Sequence, residues 1–304
     1  VHRLINFLKQ NDYRFITPTP LTHQRVNARR SNTIAHNLQG AFGWNRPFHE
    51  NLLPPELFLN LRDAGLIEPD PRGWRSRLRA STIGSDLFLH SSFPTSQPDA
   101  VFFGPDTYRF CRLIDAVLRR RTAPVGRAID VGSGSGAGAA AVARARPSTS
   151  LVCADINPRA LEFSRVNLAA NGLQAQTVQS DLFAGVSGAF DVIVANPPYL
   201  NDASERAYRH GGGALGSDLS LRIAVEGVPH LAPGGSLILY TGSPIVEGRD
   251  LFEADARRAL DGMAVRIDYE EIDPDVFGEE LELTPYQRVE RIAVIALVAT
   301  RPET

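Results

Sequence analysis

Residues 128–138 read Ala-Ile-Asp-Val-Gly-Ser-Gly-Ser-Gly-Ala-Gly and lead into Ala139-Ala-Ala-Val142. A short β-prone run thus gives way to a turn with glycine at every second position, then to strong helix formers. Glycine permits the tight turn and lets a ligand come close to the main chain, and the helix start leaves N–H groups without partners. Such a strand–turn–helix junction commits the chain to an α/β arrangement with a ligand seat at the carboxyl end of a strand.

The chain beyond repeats the rhythm. Ala128–Val131, Leu151–Ala154, Gln176–Gln179, Val192–Ala195 and Leu237–Tyr240 are short apolar or β-prone runs with room for a helix between them. Pro158–Ala170 reads as a helix from its first-turn proline, its apolar Leu161, Val166 and Leu168, and the Asn171-Gly172 stop. Two last runs, Ala264–Ile267 and Arg291–Ala299, enclose an acidic stretch without a long helical pattern, which predicts a terminal hairpin and an antiparallel last strand. The expected fold class is α/β: a Rossmann-like, doubly wound, seven-stranded sheet with an antiparallel last strand, plus a small α+β N-terminal domain.

At 304 residues the chain is twice the usual domain length of about 150, so two domains are expected. The Ser- and Pro-rich segment Ser91–Asp99 separates a domain of residues 1–100 from one of residues 101–304. In the first, Leu4, Ile5, Phe7 and Leu8 predict a short helix and Pro55–Ala64 another, while Arg75–Ile83 and Leu87–His90 read as strands across Gly84-Ser85. That combination is compatible with a winged-helix-like module. Arg75, Arg77 and Arg79 alternate, so one strand face would carry three guanidinium groups, either to grip phosphates or an acidic surface or to lie solvated.

Composition removes several function classes. Two cysteines, Cys111 and Cys153, and seven scattered histidines support neither a disulfide framework nor a metal site, and point to a reducing cytoplasm. No Ser-His-Asp order or nucleophile elbow supports covalent hydrolysis. No apolar run approaches the ~18–20 residues of a membrane span, and Val1-His2-Arg3 lacks the design of a signal peptide. The net charge of −2 conceals a split: 17 Arg and Lys against 10 Asp and Glu in residues 1–121, but 15 against 24 in residues 122–304. The basic segment could dock an acidic or nucleic-acid partner, the alternative being two charged surfaces without partners.

Several polar residues follow the strand ends. Gly132-x-Gly134-x-x-Ala137 followed by Asp155 satisfies a dinucleotide fingerprint. Asp130, however, precedes the turn directly, where a carboxylate repels a pyrophosphate and attracts an ammonium or sulfonium, which favours S-adenosylmethionine over NAD. Asp155 is placed to accept hydrogen bonds from ribose hydroxyls, or to cap a helix. In Ser180-Asp-Leu-Phe183, Asp181 could accept the adenine amino group with Leu182 and Phe183 near the ring, or lie on a solvent-facing turn.

Asn196-Pro-Pro-Tyr199 follows the fourth strand. Its two prolines fix φ and remove two donors, leaving a rigid turn. A conjugated NH₂ is a poor nucleophile because its lone pair is delocalised. Hydrogen bonds from it to the Asn196 side-chain oxygen and the Pro197 carbonyl would hold the nitrogen in line with a sulfonium methyl, with Tyr199 stacked on the flat acceptor. No dedicated general base is then required.

Together, Asp130-x-Gly132-x-Gly134-x-Gly136, Asp155, Asp181 and Asn196-Pro-Pro-Tyr199 resemble the class I S-adenosylmethionine-dependent methyltransferases. Within them the chain is most similar to the methyltransferase small domain group and its HemK-type N5-glutamine methyltransferases, which modify translation release factors. The resemblance spans roughly residues 101–300. It implies that Gly132, Gly134 and Gly136 line the methionine and ribose, that Asp155 binds the ribose, and that Asp181 and Leu182 meet the adenine. Asn196, Pro197 and Pro198 would orient the acceptor beside Tyr199, with Asn196 also bordering the cofactor. Phe103-Gly-Pro-Asp-Thr-Tyr108 resembles a Pro-x-Asp-Thr element that covers the cofactor in some relatives, which brings in Asp106 and Thr107; a helix N-cap at Asp106 is the alternative.

Three departures bear on the acceptor. The Arg-rich strand pair stands where bacterial release-factor enzymes usually carry an all-helical docking domain. Arg209-His-Gly-Gly-Gly-Ala-Leu-Gly216 suits a mobile lid over the acceptor. Asp268–Glu282 holds eight acids in 15 residues. Beside the acceptor it would oppose RNA and favour a basic peptide or small molecule; as a solvated hairpin tip, the preferred reading, it would be silent. The acceptor expected first is a protein glutamine amide. The alternatives are the exocyclic amine of an rRNA or tRNA base, a small-molecule amide or guanidino group, or a non-catalytic nucleic-acid-binding regulator that senses the cofactor. Protein or RNA is therefore the expected partner, and no membrane.

Overall fold

In the computed structural model, which describes residues 1–95, 97–202 and 208–303, the first hundred residues supply helices α1 (His2–Gln10), α2 (Pro20–Asn27) and α3 (Pro55–Asp63). Two antiparallel ribbons accompany them: β1 (Ile67–Asp70) with β2 (Gly73–Ser76), and β3 (Leu78–Ile83) with β4 (Asp86–Ser91). The expected helices bury Leu4, Ile5, Leu8, Leu57 and Leu61. The strand expected over Arg75–Ile83 is instead broken at Arg77. Ser76 supplies the reason: its hydroxyl donates to the Leu78 carbonyl (2.6 Å) and accepts from the Leu78 N–H (3.1 Å), local bonds that compete with a strand ladder.

The three arginines therefore share no face. Arg75 donates to Asp70 and to the Asn45 carbonyl, Arg77 is exposed beside Glu68, and Arg79 is buried and donates to the Gly43 carbonyl. Every residue of β4 is buried, so the β3–β4 ribbon does not project but lies pressed against the larger half of the chain.

That larger half runs α4 (Pro105–Arg120), β5 (Arg127–Val131), α5 (Ala137–Ala145), β6 (Ser150–Asp155), α6 (Pro158–Ala170), β7 (Gln176–Gln179) and β8 (Phe190–Ala195). It continues through α7 (Asp218–Gly227), β9 (Leu231–Val246), β10 (Arg249–Asp250), α8 (Leu251–Ala259), β11 (Arg266–Asp273) and β12 (Arg291–Thr300). The strands form one sheet in the order β11-β12-β9-β8-β5-β6-β7, with the two-residue β10 folding back on β9. β5 lies parallel to β6 and β8, whereas β12 is antiparallel to both its neighbours, as expected for a seven-stranded doubly wound sheet with a reversed last strand. The chain winds outward from β5 to β7, then returns to β8 on β5's other side. A crevice therefore opens beyond the carboxyl ends of β5 and β8.

β9 is far longer than the expected Leu237–Tyr240, because the antiparallel ladder with β12 runs from Ser236 to Ile245. β11 starts two residues later than expected and continues to Asp273 as an edge strand, exposing Asp268 and Glu270 while Ile267 and Tyr269 turn inward. Its acids hid it from an apolar count.

Helix α6 joins the two halves. Buried Asn167 accepts from the Leu89 N–H (2.9 Å) and donates to the carbonyls of Leu89 (2.8 Å) and Ser135 (3.0 Å). Asn171 treats Leu87 likewise, so two side-chain amides serve β4 as an adjacent strand would. Asn167→Ala leaves three buried main-chain groups without these partners, and we expect a loss of about 2–3 kcal/mol in urea-unfolding stability. Unchanged stability would show that the first hundred residues do not depend on this seam.

Candidate active site

A cavity of about 460 Å³ occupies the crevice and receives residues from both sides of the switch point. Gly132 (φ +70°) and Gly134 (φ +52°) line it in left-handed backbone that other residues rarely adopt. Gly136 (φ +80°) does not line it. A Cβ there would stand 3.1 Å from Ser164 Cα, so its role is to let the start of α5 approach α6. Gly138, which the motif did not single out, admits the Asp130 carboxylate: a Cβ would lie 2.7 Å from Asp130 Oδ2.

Asp130 is buried, and its Oδ2 accepts from the Ala139 N–H (2.8 Å). Burial, reinforced by the Asp155 carboxylate, pushes its pKa up to about 8. An unfolded carboxyl titrates near 3.8, so between about pH 4 and pH 8 the folded chain holds a proton that the unfolded chain gives up. Stability should therefore fall as pH rises through that window, and Asp130→Asn should flatten the fall in urea midpoints measured from pH 5 to pH 8. An unaltered slope would mean that Asp130 is charged in the fold.

Asp155 accepts from the N–H groups of Gly134 (Oδ2, 2.9 Å) and Asn157 (Oδ1, 2.9 Å), and burial raises its pKa despite these donors. The cap of α6 is Asn157, which accepts from the Arg159 N–H. Asp155 is thus left at the cavity wall with lone pairs to spare. Asp181 also lines the cavity, half exposed and 3.5 Å from Arg222. Leu182 lies beside it, but Phe183 turns into the core and stacks on His230 at 4.9 Å.

Asn196, Pro197, Pro198 and Tyr199 all line the opposite wall. Asn196 is half-buried, and its side chain forms no hydrogen bond with any described residue. Tyr199 is buried and fixed. Its hydroxyl donates to Asp106 Oδ2 (2.9 Å), and the Tyr240 hydroxyl donates to Oδ1 of the same carboxylate (2.8 Å). Gly242 makes room for the ring, since any Cβ there would overlap it, and Phe277 meets it edge-on at 5.9 Å. The N-cap of α4 is Gly104, whose N–H donates to Thr107 Oγ1, so Asp106 belongs to the site and not to the cap. Asp106 and Thr107 both line the cavity.

Two segments read differently from sequence close this wall. Arg209–Gly216, expected as a mobile lid, is tied down: the Leu200 N–H donates to the Arg209 carbonyl and the Gly211 N–H to the Leu200 carbonyl. Any Cβ at Gly211 would collide with the carbonyls of Gly216 and Pro198, and one at Gly216 with Tyr199. The glycines therefore serve close packing beneath the turn. The acidic stretch is not a solvated tip either. Asp273 pairs with Arg109 (2.8 Å), buried Glu280 pairs with Arg209, and Phe277 enters the cavity wall.

Among the lining residues that sequence reasoning missed are Phe102, Tyr208 and Arg222, and Phe277 was read only as part of the acidic run. Phe102 and Tyr208 stack at 5.9 Å. Phe277 did leave a trace, as the aromatic midway through the run of acids. Among the described residues no group of three His, Cys, Asp or Glu could hold a metal ion, and no helix is long and apolar enough to cross a membrane.

Residues 112–245 match the family model of the methyltransferase small domain. The release factor glutamine methyltransferase of Deinococcus radiodurans is 36% identical over 155 residues, covering 48% of this chain and 55% of that protein. The ribosomal RNA small subunit methyltransferase C of Pasteurella multocida is 36% identical over 124 residues, 40% of this chain and 35% of that one. This chain thus spans about half the length of the first relative and a third of the second. Among solved structures, Trm5b from Pyrococcus abyssi superposes with a TM-score of 0.51 over 77% of this chain and 61% of that chain at 15% identity, a likeness of fold alone. The strand order, the glycine turn and the matched segment converge: residues 112–245 form a methyltransferase small domain of the class I S-adenosylmethionine-dependent family.

Proposed function

We propose that this chain transfers a methyl group from S-adenosylmethionine to a planar NH₂ nitrogen, foremost the side-chain amide of a protein glutamine. One observation carries the reading: Asn196 presents an amide without hydrogen-bond partners to the cavity from a turn whose neighbours are all fixed. The cradle suits the cofactor. The Gly132 and Gly134 backbone is open, and Asp155 retains acceptor capacity for a ribose diol. When bound, S-adenosylmethionine supplies an electrophilic methyl on a sulfonium. Asn196 Oδ1 and the Pro197 carbonyl accept the two hydrogens of the substrate NH₂ and set its lone pair in line. Asp106, through Tyr199, holds that turn still. Among the described residues no histidine lines the cavity, and the nitrogen, once substituted, is acidic enough to lose its proton to water.

The acidic wall supports protein over RNA. Asp275, Glu279 and Glu282 are exposed around Phe277 and would repel a polyanion while tolerating a neutral glutamine in a basic segment. An exocyclic base amine is the second reading, motivated by the basic N-terminal residues. To separate them, the protein is incubated with methyl-labelled cofactor and cell extract, and the label is followed through protease and ribonuclease. Protease-sensitive label, found by mass spectrometry on glutamine, is expected; ribonuclease-sensitive label would reject the first choice. Calorimetry tests the cofactor: Asp155→Ala should weaken binding by one to two orders of magnitude, about 1.5–3 kcal/mol for lost charge-assisted hydrogen bonds. Equal affinity would remove Asp155 from the site.

A further inference from the structure

Between Asp12 and Glu50 the chain has no acidic residue in 37 positions, but five arginines. The fold gathers four of them at one end of α2. Arg25 lies in its last turn, and Arg29 and Arg30 in the turn that follows. Arg46 is tied to the same end by its Nε donating to Asn27 Oδ1 (2.8 Å), and lies 5.4 Å over the half-buried ring of Trp44. Arg25, Arg29 and Arg30 are exposed, and no described acid pairs with them. Elsewhere the exposed Arg119, Arg222, Arg257 and Arg258 each lie within 3.1 Å of an aspartate or glutamate, whereas the exposed Arg112, Arg120, Arg165 and Arg249 pair with no described acid, so what sets the end of α2 apart is the gathering of arginines from a run free of acids. A helix C-terminus favours one nearby cation through its dipole, but that effect fades within a turn and does not call for four.

A chain of contacts also links the cluster to the cavity. Trp44 stacks on His23 (5.5 Å), and His23 meets Phe93 edge-on (4.1 Å). Two residues beyond, the Thr95 carbonyl accepts from the hydroxyl of Tyr208, which lines the cavity. We propose that Arg25, Arg29, Arg30 and Arg46, with Trp44, form a docking face for the backbone of a single-stranded nucleic acid. Unpaired guanidinium groups match phosphates, and an indole beside them matches a base, whereas an acidic protein surface would need only the charges. This docking is independent of which nitrogen is methylated.

Fluorescence anisotropy with a labelled 20-nucleotide RNA tests it. Four phosphate contacts at about 0.7 per contact predict a slope near −3 for log affinity against log salt. Replacing Arg25, Arg29 and Arg30 together by glutamine should bring the slope to about −1 and weaken binding at least tenfold at low salt, while Arg257→Gln with Arg258→Gln changes neither. Equal urea midpoints establish that each variant is folded, and equal calorimetric affinity for S-adenosylmethionine separates this result from failure of the methyl-transfer reading. Wild-type affinity in the triple variant, or displacement of the RNA by polyglutamate at matched charge, would overturn the proposal.

Discussion

Asn196→Ala is expected to lower kcat by about three orders of magnitude while leaving affinity for S-adenosylmethionine within about twofold. The asymmetry follows from where the Asn196 amide acts. It forms no hydrogen bond with any described residue, so its removal leaves no buried group unsatisfied and the turn keeps its two prolines. Its work lies in orienting the acceptor nitrogen, an interaction that tightens as the nitrogen becomes tetrahedral. Removing one fixed hydrogen-bonding group at a reacting centre costs about 10²–10³ in rate, and misalignment of the nitrogen adds to that. Single-turnover methylation of the acceptor found by mass spectrometry, beside calorimetry with the cofactor, reads both quantities. An unaltered kcat removes Asn196 from the chemistry, and a parallel loss of cofactor affinity would place it in binding.

The features legible from sequence are those that act through local main-chain chemistry. The glycine turn, Asn196-Pro-Pro-Tyr199 and the apolar central strands each carry their constraint within a few residues, and all take their expected places at the switch point. Features that require elements to meet were not legible. Gly136 belongs to the motif, yet its lack of a side chain serves α6, 28 residues away. Ser76 breaks a strand that periodicity makes continuous, because a hydroxyl can satisfy the backbone as a ladder does. The run of acids hides an edge strand and a cavity wall, since what makes it structural is the pairing of Asp273 and Glu280 with Arg109 and Arg209, residues distant in the chain.

Asp106 is the strongest such case. The Pro-x-Asp-Thr element pointed to it, but only the fold reveals that one carboxylate joins α4, the turn after β8 and strand β9 by accepting from Tyr199, Tyr240 and Arg109. Asp106→Ala should therefore do two things. Two buried tyrosine hydroxyls lose their acceptor and Arg109 keeps only Asp273, which should cost roughly 3–5 kcal/mol in urea unfolding. In the fraction that folds, Tyr199 is released and the Asn196 turn loosens, so kcat should fall about a hundredfold with KM for the cofactor little changed, since an ångström of misplacement can cost that much. Asp106→Asn is the discriminating variant. It keeps the shape, accepts from one tyrosine and donates to the other, and should restore most of the stability and part of kcat. A loss of stability in Asp106→Ala that Asp106→Asn restores, with kcat at the wild-type value in both, would reduce Asp106 to a packing role. A loss of kcat that tracks the loosening of Tyr199 would instead make the buried carboxylate the positioning residue through which three distant segments hold the acceptor in line.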